Sequence, residues 1–412
     1  MIERPIRVLH SFASLNRGGI ETWLMNILRE HPPGLHFDFL LDRPGGVYEE
    51  EARSHGCHIY HRASISRLGK RLNIIGLGRQ SHCLEEVLTA DKHDVFHMHG
   101  SEFLGDGMKA ATRMDVPVRI AHAHGTRWIR ERLTWEWRLR YLRVRTVDRY
   151  RLLKYATDIV ACSNDAGLSL MGRYWKRDPR CSVLYCGVPL DVFERAHSDW
   201  TRSDFRKKHG IPQDAVVVGH VGSMGPSPVK NHGFLLDVFG ELAKRDARYY
   251  LYMAGDGPLR RDIERMVHAR GLDDRVSMPG LCSDVPSLMI HGFDVHVLPS
   301  LHEGLPVVGL EAVASGCFTV CSDTITREFT ESFAARVSTV SLRASASLWA
   351  DRLEAGIRNR ISAEDGIGLV KESCFSISAS LESLLRLYRR RLTERPEMEQ
   401  RGRPKPQLRT GA

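Results

Sequence analysis

The sequence predicts an α/β fold of two facing Rossmann-like domains with a cleft between them. Three observations predict it. The chain has 412 residues, too many for one core of ordinary size. Short apolar runs alternate with helical stretches, as a parallel sheet with crossovers requires. The alternation runs through one series, pauses near residues 189–212, and starts again at Ala215.

In the first series Ile6–Phe12, Phe37–Leu41, His58–Tyr60, Val95–His99, Val118–His122 and Ile159–Cys162 read as strands. Ile20–Arg29, Cys83–Thr89 and Leu104–Arg113 read as helices. In the second, Val216–Val221, Tyr249–Ala254, Val276–Met278, Asp294–Leu298 and Phe318–Cys321 are the strands. Phe234–Ala247, Leu259–Arg270, Val285–His291 and Leu305–Ser315 are the helices between them. Ile377–Leu392 carries Leu381, Leu384, Leu385, Leu387 and Tyr388 at helical spacing. The expected domains are 1–190 and 191–374. After Thr393, low hydrophobicity and proline predict a disordered tail over 393–412.

Composition narrows the class. Hydrophobic content of 42% and charged content of 26% suit a soluble globular protein. No run approaches the ~18 to 20 apolar residues of a membrane span, and Met1–Pro5 lacks the parts of a secretory signal. Nine cysteines without framework spacing predict reduced thiols and a cytoplasmic protein. Cys317 and Cys321 read as core residues, not metal ligands. The net charge of +9 could serve nucleic acid, a membrane or anionic substrates. No nucleic-acid module accompanies it, so it is read as facing membrane and substrate.

The most informative stretch is Ser300 to Ala312, SLHEGLPVVGLEA. It follows a buried strand, and Pro306 suits the first helical position. Glu303 then lies in the strand-to-helix loop and Glu311 in the second helical turn. Main-chain N–H groups at such a helix start favour a phosphate, so one carboxylate can meet a sugar and the other a ribose. Two solvated helix-end carboxylates are the plainer alternative.

That E-x7-E pattern resembles the signature of retaining family 4 glycosyltransferases of the GT-B fold. Gly255-Asp256-Gly257-Pro258 before it, Ser322 to Glu328 after it, and Val188-Pro189-Leu190-Asp191 with Phe193 strengthen the resemblance, which covers roughly residues 1–390. It implies a transfer from a nucleotide-sugar, most often a UDP-sugar, to a hydroxyl of a glycan or lipid-linked acceptor. Glu311 would bind the ribose and Glu303 the transferred sugar, with Gly304, Leu305, Pro306 and Val307 holding the phosphate side. The last helix, about 375–392, would return to the N-terminal domain. A catalytically degenerate binding subunit and a sugar-nucleotide epimerase are the competing readings.

Other motifs fall into place around this pair. Gly18 and Gly19 join the first strand to the first helix, a loop that lets a ligand approach the backbone. It resembles the family's lip for acceptor or donor phosphate, and a ligand-free glycine turn is the alternative. His97-Met98-His99 and His122-Ala123-His124 place paired imidazoles on one strand face. They could ligate a metal or line the cleft. By resemblance His124 orients the donor sugar, with His122 as the alternative. Lys230 and Asn231 match the family's cation before the next helix, which neutralises the leaving diphosphate. Ser223 stands where the family usually has arginine. Arg17, Arg127 or Lys207 could substitute. Gly280 ends the segment where the family's base-binding backbone lies.

No Asp-x-Asp closes a strand, so metal-independent transfer without a cofactor is expected, the nucleotide-sugar being a co-substrate. Residues 127–150 interleave Trp128, Trp135, Trp137 and Tyr141 with Arg138, Arg140, Arg143 and Arg145. A basic helix with aromatic anchors predicts peripheral attachment to the anionic inner face of the cell membrane. A solvated face with tryptophans in the core is the alternative.

Overall fold

The computed structural model describes residues 4–62, 80–100, 104–126 and 135–401. Among the described residues thirteen strands form two wholly parallel sheets. The first contains β1 (Ile6–Phe12), β2 (Leu35–Leu41), β3 (Ile59–His61), β4 (Val95–Gly100), β5 (Val118–Ala123), β6 (Asp158–Ala161) and β7 (Cys181–Val183). Their order is β3-β2-β1-β4-β5-β6-β7. The second contains β8 (Val216–Val221), β9 (Tyr249–Ala254), β10 (Val276–Gly280), β11 (Val295–Leu298), β12 (Thr319–Ser322) and β13 (Val337–Val340). Its order is β10-β9-β8-β11-β12-β13.

Both orders reverse once, between β1 and β4 and between β8 and β11. In open α/β sheets the crevice beyond the carboxyl ends at such a reversal is where ligands bind. Helices cover both faces of each sheet, so the central strands are buried over most of their length. That explains the near-continuous apolar runs in β8 and β11. Trp23, Phe37, Phe39 and Phe96 fill the first core, and Phe239 and Trp349 the second. Cys317 and Cys321 are buried as core residues, and all nine cysteines are free thiols.

The chain crosses between domains twice, side by side. Val188 N–H donates to Phe375 O and Ile377 N–H donates to Val188 O, each at 2.9 Å. The last helix, Ile377–Arg401, then lies on the first domain. Trp23 Nε1 donates to Ser380 Oγ at 2.8 Å, Tyr388 is fully buried, and Arg391 pairs with Asp158 at 2.9 Å.

The structure corrects several details. β7 and β13 are additional strands. Both are short sheet edges, three and four residues long, and β13 reads Val-Ser-Thr-Val instead of running apolar. Val285–His291 is not one α-helix but a turn of helix, Val285–Ser287, that widens into a π-turn, Leu288–Gly292. The last helix passes residue 393 and reaches Arg401, so the expected tail is helical over its first part. Glu, Arg, Met and Gln are good helix formers and extend a helix already nucleated by packing. Residues 402–412 lie outside the described residues.

Candidate active site

The donor half assembles from loops at the carboxyl ends of β8 to β11. After β8 the chain runs Gly222-Ser223 to Lys230 before the helix His232–Arg245, with Asn231 left-handed at φ 57° as its N-cap. Two contacts shape this loop. Met224 N–H donates to Asp256 O at 2.9 Å, and Leu301 N–H donates to Val229 O at 2.8 Å. Gly257, at φ 151°, lets Met224 O come within 2.3 Å of where a Cβ would stand. Gly255 N–H donates to Gly280 O at 2.8 Å, which brings the end of β10 to the same crevice.

Glu303 leaves the loop after β11 and accepts from Lys230 Nζ at 2.6 Å. Both side chains are mostly buried, so this is a strong charge-assisted bond. Glu311 follows in the second turn of the helix Val307–Ala314, as the sequence reading placed it. Burial lifts its carboxyl from 4.5 to about 7, and the Lys230 charge opposes that rise. Pro306 is the N-cap and not the first helical residue. Its ψ of 80° is not helical, and it lets Val307 N–H donate to Leu305 O at 3.0 Å. That N–H is therefore committed within the loop. Leu305 and Gly304 are buried.

The first domain closes over this half. Thr126 Oγ1 donates to Glu303 O at 3.1 Å. A Cβ on Gly304 would lie 2.1 Å from His124 O and 2.9 Å from Cys162 Sγ, so only glycine fits there. Gly18 caps the helix Gly19–Arg29, and a Cβ on Gly19 would touch Val307 at 4.0 Å. Glu328 accepts from Asn164 main-chain N–H at 2.6 Å and from Asn164 Nδ2 at 2.8 Å, a second clamp across the cleft. Thr126, Cys162 and Glu328 were not singled out as cleft contacts. Thr126 was detectable beside His124, whereas the other two depend on how the domains meet.

Ser223 is exposed at the loop. Of the cations considered as its substitute, Arg17 reaches across the cleft and donates to Cys282 O at 3.3 Å. Lys207 is on the helix Arg202–Lys208, which packs at the amino end of the second sheet, where Arg206 meets Asp294. It is therefore on the wrong side. Arg127 lies outside the described residues.

Behind the cleft wall the paired histidines form one layer on the first sheet. His10 Nδ1 is 2.9 Å from His99 Nε2, and His99 Nδ1 is 2.9 Å from His124 Nε2. His124 Nδ1 is 3.8 Å from Cys186 Sγ. His97 Nδ1 meets Tyr388 Oη at 2.7 Å, and its Nε2 meets His122 Nδ1 at 3.1 Å. Burial lowers every one of these imidazoles, His10 and His124 to about 3. They are neutral at physiological pH. His124 reaches the cleft through its main chain, while its ring nitrogens face His99 and Cys186. Two groups, His10–His97–His99 and His99–His122–His124, each bring three ligand atoms within 4.8 Å of one another. No acidic side chain belongs to either group.

In the 127–150 segment the described residues begin at Trp135. Leu139, Leu142, Val147 and Tyr150 are exposed, with Arg138 and Arg145 beside them. Arg143 does not share that face. It is buried and pairs with Asp106 at 2.5 Å. Arg145 donates to Tyr141 Oη at 2.6 Å. Residues 127–134, with Trp128, lie outside the described residues. No helix among the described residues is long and apolar enough to cross a membrane.

Comparison with known proteins converges on one group. The family profile described as Glycosyltransferase Family 4 matches residues 17–192, and that described as Glycosyl transferases group 1 matches residues 215–354. EpsF of Bacillus subtilis (strain 168), a glycosyltransferase by name, is 35% identical over 353 residues, 84% of this chain and 86% of that protein. An Escherichia coli protein named UDP-Gal:alpha-D-GlcNAc-diphosphoundecaprenol alpha-1,3-galactosyltransferase is 26% identical over 272 residues, 63% of this chain and 65% of that one. Among solved structures, Anabaena HepE in complex with UDP and glucose superposes with a TM-score of 0.72 at 17% identity, covering 93% of this chain and 99% of that one. A glycosyltransferase from Rickettsia africae ESF-5 gives 0.72 at 18% identity, covering 94% and 99%.

Proposed function

Since the chain belongs to family 4 of the glycosyltransferases, we propose that it moves a sugar from a UDP-sugar to an acceptor hydroxyl, with retention and without a metal at the diphosphate. The chain is a glycosyltransferase of the GT-B fold. What carries the finer reading is the Lys230–Glu303 pair, held at 2.6 Å where the second sheet reverses. A donor in this crevice divides the pair. The diphosphate takes the ammonium, and hydroxyls of the transferred sugar take the carboxylate.

Glu311, on the helix beyond, accepts from the ribose. Arg17 and the Gly18–Gly19 loop approach from the other domain. His124 lines the donor side through its main chain, whose carbonyl oxygen abuts Gly304, while its ring faces His99 and Cys186. No carboxylate need act as a nucleophile. The acceptor oxygen bonds to the anomeric carbon on the face that the phosphate oxygen leaves, and its proton passes to that oxygen. Lys230 and main-chain N–H groups stabilise the departing charge.

A polysaccharide or glycolipid product is favoured by the Escherichia coli relative, which is named for a diphosphoundecaprenol-linked acceptor. A lipid-linked acceptor fits the exposed Leu139, Leu142, Val147 and Tyr150 with their neighbouring arginines, a face suited to an anionic membrane surface. The deciding experiment scores nucleoside diphosphate release from a panel of UDP-, GDP- and ADP-sugars. Release from a UDP-sugar supports the reading, and release from none would leave a binding subunit.

A further inference from the structure

We propose that His99, His122 and His124 form a binding site for a borderline divalent transition ion of the Zn2+ class, set behind the cleft wall and apart from the diphosphate. Their ligand atoms lie within 4.8 Å of one another. The outward bonds of each ring decide which nitrogen faces the ion. His99 uses Nε2 toward His10, which leaves Nδ1. His122 uses Nδ1 toward His97, which leaves Nε2, a buried atom without a hydrogen-bond partner, although the Leu184 main chain nearby favours a protonated ring. His124 has Nδ1 toward Cys186, which leaves Nε2.

His99 Nδ1 and His124 Nε2 already converge at 2.9 Å, in a hydrogen bond that the ion would replace. Each proposed ligand thus has an outer partner on its second nitrogen. Such partners fix the tautomer and the ring orientation in protein metal sites. The partner of His122 is itself held, since His97 meets Tyr388 on the last helix at 2.7 Å. The other triad, His10–His97–His99, is less well suited, because both nitrogens of His97 and of His99 are engaged outward or toward this site.

Three neutral imidazoles without a carboxylate select Zn2+, Co2+, Ni2+ or Cu2+ over Mg2+ and Ca2+. His99 and His122 are buried, and only His124 is partly exposed. A fourth ligand, a water or hydroxide, therefore comes from the cleft side. The ion joins the ends of β4 and β5 beneath the contact of His124 O with Gly304, and its outer shell reaches the last helix.

The test uses the full chain, dialysed against a chelator and titrated with Zn2+ in competition with a chromophoric chelator. The expected result is one Zn2+ per chain with Kd below about 1 μM, and a visible absorption band of tetrahedral type with Co2+. His122→Phe fills the ring volume without a ligand and should weaken Zn2+ by about 100-fold or more. His10→Phe removes only an outer partner and should weaken it by about 10- to 100-fold. His268→Ala, at an exposed helix end, should change nothing. Far-UV circular dichroism reports whether each variant folds. Failure of the parent to take up Zn2+ at micromolar concentration overturns the proposal, whatever the variants do. So does a folded His122→Phe that binds as tightly as the parent. Neither outcome touches donor release, so this inference and the proposed transfer stand or fall separately.

Discussion

Replacing Glu311 with glutamine tests the donor half through an acid that burial strongly perturbs. The side chain keeps its size and loses its proton chemistry. Burial holds the carboxyl at about 7 in the folded chain, against 4.5 as its ordinary value. At 1.36 kcal/mol per pH unit that is roughly 3 kcal/mol favouring the neutral acid. The raised value fixes the sign. The stabilisation is fully present below pH 4.5 and is lost as pH rises through about 7. The glutamine variant has no such loss. Its stability relative to the parent should therefore rise by roughly 3 kcal/mol between pH 4.5 and 8.

For a domain of this size that is a relative shift of roughly 6–12 °C in melting temperature, measurable by calorimetry in matched buffers. Ribose hydroxyls donate best to the charged form. UDP binding near pH 6.5 should then release a proton, seen as a dependence of the calorimetric heat on the buffer's ionisation enthalpy. The variant should bind UDP more weakly and release none. Parallel pH–melting curves for both proteins would refute the burial argument. Unchanged UDP affinity in the variant would refute the ribose role.

Lys230→Met should slow transfer by on the order of 10²-fold or more, while Glu303→Gln should lower kcat further than it lowers UDP affinity; a steady-state comparison with a UDP titration checks both. Nucleoside diphosphate release should persist in excess EDTA, and its complete loss with recovery on adding Mg2+ or Mn2+ would show a metal at the diphosphate after all. The parent should sediment with anionic liposomes and be released as salt rises toward 1 M, where the Debye length is ~3 Å. Serine at Arg138 and Arg145 should weaken that association and leave UDP binding intact. Arg143 is left out of that variant because its pairing with Asp106 makes it part of the domain's packing. Equal sedimentation of both forms would refute the membrane reading.

Much of this was legible in the sequence because buried parallel strands announce themselves. Val216–Val221 and Tyr249–Ala254 matched to the residue, since both faces of each are covered and turn residues bound the runs. The E-x7-E pair was legible for a local reason, since a strand end, a proline and helical spacing fix both carboxylates with one chain segment. The edge strands Cys181–Val183 and Val337–Val340 were not, because half-buried edges need no apolar run. The burial that lifts Glu311 and the clamp from Glu328 to Asn164 were also not legible. Both depend on packing between segments far apart in the chain. The H-x-H pairs showed imidazoles sharing a strand face, but neighbouring strands bring His10 into the same layer, and only sheet register reveals that.

The last helix has a consequence for how the protein is made. Tyr388 fills the layer beside His97, and Ser380 satisfies Trp23, so the first domain lacks part of its own interior until residues 377–388 have been made. A ribosome releases the N-terminal domain's sheet long before these residues emerge. Until then Trp23 and the histidine face wait uncovered, and domains generally fold as units during synthesis, N-terminal first. The second domain must therefore be threaded between two visits to the first. A nascent chain stopped at residue 376 should carry an intact second sheet and an unfinished first, with Trp23 lacking Ser380 and His97 lacking Tyr388.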